Sequence, residues 1–148
     1  MTASDRTTAR VLLGAVAAGY AVTGAWALAA PRSFYDTFPG GGRTWVSVDG
    51  PFNEHLVRDF GALNLALVLV LAVAAWRGGR SLVRVAAGAA LVWSVPHFLY
   101  HLGHLDPLPA ASDRVANLVS LGLGVVAPAV ALWLARSWPA EGGSTAAA

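Results

Sequence analysis

Cysteine is missing from this chain of 148 residues. Its absence excludes a disulfide framework, a thiolate metal site and a haem attached through cysteine. Any metal or cofactor chemistry in this protein therefore depends on imidazole and carboxylate side chains.

Charge is also scarce, and lysine does not occur at all. Only 12% of the residues are charged, whereas an ordinary soluble domain carries roughly 25%. The ten basic residues are all arginines, dispersed without a basic run, which argues against nucleic acid as a partner. Hydrophobic residues make up 56% of the chain, and the mean hydropathy is +0.57. We therefore expect a membrane protein.

Long apolar stretches predict four helices. Each stretch is about 20 residues or longer, enough to cross a hydrocarbon core of about 30 Å. The sequence thus predicts an all-α integral membrane four-helix bundle in one domain, 9–138, with helices at about 9–30, 51–76, 81–104 and 113–137. The ends 1–8 and 139–148 are predicted to be disordered. The first stretch exceeds the roughly 7–15 apolar residues of a signal peptide, so we expect it to be retained.

The connections and the helix interiors carry weaker signals. The segment 31–51 predicts a long loop, with a flexible joint at the three glycines 40–42 and a short strand at 44–48. Asn64 predicts an interhelical hydrogen bond. Glycines among alanines predict close helix packing at Gly14, Gly24, Gly88, Gly122 and Gly124.

The arginines predict the orientation of the bundle. Four helices put both termini on one side, together with six arginines, against four arginines and six acidic residues on the other side. Basic residues near helix ends favour the cytoplasmic side. We therefore expect a multi-pass protein of the plasma membrane with both termini in the cytoplasm and the loops 31–53 and 105–112 outside.

The stretch PHFLYHLGHLD, residues 96–106, ends the third predicted helix with three of the four histidines. At about 100° per residue, His97, His101 and His104 fall within an arc of about 60°. Trp93 and Tyr100 flank them. The predicted topology therefore puts these histidines on one face, at the outer end of the bundle.

The second predicted helix begins at the same end. Its first turns carry Asn53, Glu54, His55, Arg58 and Asp59, and the fourth helix adds a stripe of Asp113, Asn117, Ser120 and Gly124. Ionisable residues below the membrane surface usually face the bundle interior. The sequence therefore predicts an outward-opening pocket lined by Asn53, Arg58, Trp93, Tyr100 and Asn117.

The favoured interpretation of this pocket is a metal site, which would make the protein a metal-binding protein or a membrane metalloenzyme. Its ligands would be His55, His97, His101 and His104, because residues four apart on a helix project from one face. Imidazole with carboxylate suits a divalent transition metal such as Zn or Fe. Haem held by one histidine from each helix is a variant.

Two other interpretations stay open. The first is cofactor-free acid/base catalysis, of the isomerase type, on a lipophilic substrate, with Glu54 and Asp59 as catalytic carboxylates beside His97 or His101. It predicts an apolar cavity, and a solid interior would count against it. The second is a structural or accessory membrane subunit, in which Glu54 and Arg58 form an ordinary ion pair. The expected partners are the lipid bilayer, a lipophilic small molecule and a second copy of the chain.

The stretches NEHLVRDFGALNLAL and PHFLYHLGHLD resemble small four-helix membrane proteins of actinobacteria. The likeness covers all four helices and implies no particular activity. The architecture is also loosely similar to DoxX-like and emopamil-binding-like four-helix membrane folds. The latter use His and Glu for sterol isomerisation, but their motifs do not match residue by residue here, so the resemblance assigns no catalytic role.

Overall fold

The structure, a computed structural model, describes residues 3–139 and is built from α-helices. Four of them, α1 (Ala3–Ala29), α3 (Glu54–Arg77), α4 (Arg80–Gly103) and α5 (Ala111–Leu134), are long; α2 (Pro31–Thr37) is short, and one 3₁₀ turn, Ala135–Ser137, follows α5. The four long helices are long and apolar enough to cross a membrane. The predicted all-α fold with four such helices is therefore confirmed.

Helix boundaries differ from the prediction where a local hydrogen bond decides them. Helix α1 begins at Ala3, so residues 3–8 are helical rather than disordered, and the Thr7 hydroxyl donates to the Ala3 carbonyl at 3.2 Å. Helix α3 begins after Asn53, whose side chain accepts a hydrogen bond from the Leu56 amide at 3.1 Å, as an N-cap does. The tail from residue 140 onward lies outside the described residues.

The bundle has two ends of different composition. The loop end holds the segments 30–53 and 104–110, and the terminal end holds Ala3, the Gly78–Gly79 turn and Pro139. Alanine is the most frequent residue in the buried cluster of the half next to the terminal end, which consists of Ala9, Leu13, Ala17, Leu67, Leu71, Ala74, Val83, Ala86, Ala87, Ala90, Ala131, Ala135 and Trp138. The half next to the loop end is rich in aromatic rings instead.

Helices α1 and α3 form the tightest pair, and they meet at two glycines. A Cβ atom on Gly61 would lie 2.6 Å from the Leu28 amide nitrogen, and one on Gly24 would lie 2.9 Å from the Asn64 Cβ. The predicted close packing therefore occurs at Gly24. It does not occur at Gly88, which faces open space. Helix α4 packs chiefly along α5, whereas α3 and α4 contact each other much less.

The connection between α1 and α3, here called the cover segment (residues 30–53), is folded. After α2, strand β1 (Pro39–Gly40) pairs antiparallel with β2 (Arg43–Thr44). The three glycines 40–42 have φ values of 98°, 65° and 79°, a backbone conformation that glycine adopts at low cost. The predicted flexible joint is thus a tight hairpin turn, and the predicted strand 44–48 is reduced to its first residue.

The outer surface of the long helices is apolar. Val92 is 78% exposed, Trp76 72% and Leu69 67%. Large apolar side chains of this kind are usually isolated on a soluble domain, and contiguous apolar surfaces mark contact with lipid or protein. The exterior of the bundle is therefore apolar, as expected from the hydrophobic composition of the chain.

Candidate functional site

A cavity of about 660 Å³ lies between the four long helices in the half next to the loop end. Helices α1, α3, α4 and α5 form its walls, and the cover segment contributes Phe34, Phe38 and Trp45. Ligand pockets in proteins range from roughly 300 to 1,000 Å³. The cavity is also open to the surface, because two of its lining residues on α3, Asp59 and Leu63, are exposed.

His97 and His101 are next to each other in the cavity wall, on successive turns of α4. Their ring centroids are 4.8 Å apart. The His97 imidazole stacks on Trp93, with a centroid distance of 5.2 Å and an interplanar angle of 16°, and Phe60 lies 6.4 Å away on α3. The aromatic packing therefore fixes the orientation of His97.

Asp49 is the carboxylate that the fold brings to this pair. It lines the cavity from the cover segment, it interacts electrostatically with both His97 and His101, and its Oδ1 accepts a hydrogen bond from the Tyr100 hydroxyl at 3.1 Å. The sequence prediction missed Asp49 in this role, because only the tertiary fold of a loop distant in sequence places it there. Glu54 and Asp59 had been predicted instead.

The other two histidines lie elsewhere. His55 is 87% exposed and contacts Asp59, with 3.0 Å between Nε2 and Oδ2. His104 is no longer helical, because α4 ends at Gly103; its Nδ1 is 2.8 Å from the Tyr100 carbonyl, and its ring stacks on Tyr100. Within residues 3–139, no group of three or more His, Asp or Glu side chains is placed to hold a metal ion.

Some of the remaining predicted site residues line the cavity, and the others lie outside it. Glu54 pairs with Arg58 at 2.8 Å on the surface of α3, and neither lines the cavity. Asn53 is occupied as the helix cap. Tyr100 supports Asp49 from outside the cavity. Trp93 and Asn117 do lie in the cavity wall, and Asp59 lies at its exposed edge.

A second set of polar residues lines the cavity further from the loop end. We call Tyr20, Asn64, Ser94 and Asn117 the inner polar layer, and each comes from a different long helix. Asn64 donates to the Phe60 carbonyl of its own helix at 2.8 Å, and not between helices as predicted. Ser94 Oγ and Asn117 Oδ1 are buried and have no hydrogen-bond partner of good geometry among the described residues, although the Tyr20 hydroxyl is close enough to Ser94 to interact with it.

Two polar contacts attach the cover segment to the helices that it does not connect. Arg43 Nε lies 3.2 Å from Oδ1 of the buried Asp113 on α5, and Asp49 accepts the hydrogen bond from Tyr100 on α4. Inside the segment, the Tyr35 hydroxyl donates to the Gly50 carbonyl. The cover segment is therefore held over the loop end of the cavity.

Comparison of the chain with protein-family models, with curated proteins and with solved structures gives no match. The resemblance to actinobacterial four-helix proteins, and to DoxX-like and emopamil-binding-like folds, therefore stays a prediction.

Proposed function

We propose that this is an integral membrane protein that binds a lipophilic small molecule in the loop-end cavity, and that His97, His101 and Asp49 transfer a proton on the bound molecule. The observation that carries this proposal is the cavity of about 660 Å³. Apolar and aromatic side chains form most of its wall, and its imidazoles and carboxylates gather near the loop end. Such a combination of apolar walls and few convergent polar groups is typical of small-molecule sites.

Membrane insertion is supported by the apolar exterior and by the aromatic residues at the terminal end. The Arg77 guanidinium lies 5.6 Å from the Trp76 ring centroid, and Arg136 lies 5.6 Å from that of Trp133. Tryptophan and arginine together are typical of a membrane interface, and arginine favours the cytoplasmic side. In this orientation both termini are cytoplasmic and the cavity lies in the outer half of the bilayer.

The chemistry follows from two imidazoles beside a carboxylate. In its neutral form, one imidazole accepts a proton from a carbon that lies between a carbonyl group and a double bond of the bound molecule, and it becomes an imidazolium, which the Asp49 carboxylate stabilises. The electron pair of the broken C–H bond delocalises over the resulting dienolate. Return of the proton to the far carbon of that dienolate moves the double bond and gives an isomer, with no oxidant, reductant or second substrate. Proton transfer by a positioned imidazole contributes typically 10²- to 10⁴-fold to a rate.

The second candidate function is metal binding, and it is favoured by the same pair of histidines. His97 and His101 supply two imidazoles with Asp49 near them, but within the part of the chain that the structure describes no three such side chains are placed to hold a metal ion together. Elemental analysis of untagged protein, purified without added metal, tests it. A stoichiometric transition metal that disappears in the His97→Ala/His101→Ala variant would favour the metal site over proton transfer.

Binding can be tested with 2-dodecanone on protein in detergent micelles, by native mass spectrometry. A Cβ atom on either Gly19 or Gly88 has open space around it, but only Gly19 lines the cavity. We expect Gly19→Phe to weaken binding by about tenfold or more, because its ring occupies ligand space. Gly88→Phe is the matched control and should bind as the wild type does. Equal binding by both variants, or no binding by the wild type, would contradict the proposal.

A further inference from the structure

We propose that the inner polar layer is a second subsite, which binds an uncharged hydroxyl group at the deep end of the lipophilic molecule. This inference rests on the proposed function and adds a substrate class to it: an apolar alcohol that enters with its hydroxyl first. The binding site then has two polar regions, the histidine pair near the loop end and the inner polar layer beneath it.

The first observation is that the layer is assembled from all four long helices. Tyr20, Asn64 and Ser94 lie nine or ten residues from the loop-end termini of α1, α3 and α4, which is about 14–15 Å at the helical rise. Asn117 lies six residues from the start of α5, about 9 Å. Each of the four long helices thus contributes a polar side chain of this layer to the same cavity, and Thr23 and Ser120 also line it.

The second observation is that two buried oxygens of this layer lack a hydrogen bond of good geometry among the described residues: Asn117 Oδ1, and Ser94 Oγ, which has only the interaction with the Tyr20 hydroxyl. Ser94 and Asn117 are each only 5% exposed, and Ser94 Oγ and Asn117 Oδ1 have no hydrogen bond of good geometry within residues 3–139. A buried acceptor without a donor is unfavourable, since it has lost its hydrogen bonds to water. Both residues line the cavity, so a donor bound there would satisfy them.

The character of the layer selects the kind of donor. None of its four members is an acid, an arginine or a histidine, and a charged group is strongly disfavoured where no opposite charge compensates it. A hydroxyl is uncharged and can donate to Asn117 or Ser94. It can also accept from the Tyr20 hydroxyl, which reaches across from α1 toward Gly124 on α5.

The spacing of the two polar regions limits the shape of the molecule. Ser94 lies three residues from His97 and seven residues from His101 on α4, about 4.5 Å and 10 Å along the helix axis. The apolar body of a ligand that extends from His101 to the inner polar layer spans the larger of these distances. With the cavity volume, this favours a single apolar chain or compact skeleton with one terminal hydroxyl.

The test compares 1-dodecanol with dodecane, two molecules that differ in one hydroxyl. Their affinities are measured on the full chain in detergent micelles by native mass spectrometry, with each corrected for its partition into micelles. We expect the wild type to bind dodecanol about tenfold more tightly than dodecane. In Asn117→Leu/Ser94→Ala, which keeps similar side-chain volumes, dodecanol should lose that tenfold preference and dodecane should bind as before.

Two further variants keep the result interpretable. Asn117→Ser retains an acceptor and should keep most of the preference for dodecanol, and Ser81→Ala, on the exposed start of α4, should keep all of it. Equal binding of both ligands by the wild type, or a preference that survives in the double variant, would overturn the second subsite and leave the cavity as a binding site. Failure of the wild type to bind either ligand would overturn the proposed function as well.

Discussion

The two halves of the bundle are made from the same four helices but are packed differently. In the half next to the terminal end, mostly alanine side chains, with a few leucines, fill the interior. In the half next to the loop end, aromatic rings and polar side chains surround a cavity of about 660 Å³. Small side chains allow helices to approach closely without a gap. The difference indicates that close packing in one half holds the helices together, whereas the other half leaves a cavity between them.

Tryptophan shows the same division within one residue type. In the half next to the loop end, Trp45 and Trp93 line the cavity. At the terminal end, Trp76 and Trp133 are 72% and 60% exposed and each lies beneath an arginine. Trp93 orients the His97 imidazole, whereas Trp76 and Trp133 face the surroundings of the bundle. Position relative to the two ends, and not residue type, decides what these side chains contact.

The largest effect on stability is expected at the glycine contact between α1 and α3. Gly61→Leu places a side chain where its Cβ would already lie 2.6 Å from the Leu28 amide nitrogen. Since backbone has to move, we expect a loss of at least about 3 kcal/mol, at the upper end of what overpacking causes. Thermal unfolding in detergent measures it, with Gly88→Leu as the control in open space. A Gly61→Leu protein that melts with the wild type would show that the two helices are not in this contact.

The largest effect on activity is expected at the histidine pair. In D₂O, the wild type should catalyse the exchange of the α-protons of 2-dodecanone for deuterium, which mass spectrometry of the ketone records. His97→Phe/His101→Phe keeps aromatic packing but removes both imidazoles, so the exchange rate should fall by about 10²-fold while the ketone still binds. His55→Phe, outside the cavity, should exchange at the wild-type rate. If the exchange rate fell equally in His97→Phe/His101→Phe and in His55→Phe, catalysis could not be assigned to the cavity.

A moderate effect separates the two halves by their tolerance of added volume. Ala87 is completely buried in the half next to the terminal end, and Ala87→Leu should destabilise the protein by about 1–3 kcal/mol through overpacking. Gly124 lines the cavity, and a Cβ there would make only ordinary contact, 3.9 Å from the Tyr20 hydroxyl. Gly124→Leu should therefore keep the wild-type melting temperature or raise it. Equal destabilisation by Ala87→Leu and Gly124→Leu would show that the two halves do not differ in their tolerance of added volume.

The smallest effect is expected from the contact between His55, which lies outside the cavity, and Asp59 at the exposed edge of the cavity. His55 and Asp59 are 87% and 62% exposed, and exposed pairs contribute about 0–1 kcal/mol. His55→Ala should change the free energy of unfolding by less than about 1 kcal/mol and should leave 2-dodecanone binding unchanged. A large loss of binding would show that His55 belongs to the site.

The sequence predicts the helices well because length and hydropathy determine them, and it predicts which side chains share an end of the bundle. His97, His101 and Asn117 lie where helical spacing places them. Which face of each helix points inward is harder to predict, since it depends on packing: His55 and Glu54 lie at the same end of the bundle as His97, but their side chains are on the surface of α3. Asp49 could not be predicted, because a folded loop carries it to the histidines.

The cavity itself has no signature in the sequence, because it is a volume that the surrounding side chains do not fill. The inner polar layer, in contrast, does have a signature in the sequence. Tyr20 and Ser94 interrupt apolar stretches at nearly the same distance from the loop end as Asn64. Polar residues at matched depth on several helices indicate a shared interior site more strongly than any one of them does.

The Gly78–Gly79 turn has a mechanical consequence. Covalent connections at the loop end stay within helix pairs: the cover segment joins α1 to α3, and residues 104–110 join α4 to α5. Only these two glycines join one pair to the other, and they lie at the opposite end from the cavity. The two helix pairs are thus joined covalently only at the terminal end. At the loop end, the contacts of Arg43 with Asp113 and of Asp49 with Tyr100 hold the cover segment against α5 and α4. These contacts are noncovalent, so the two helix pairs can separate at the loop end without straining a covalent connection there.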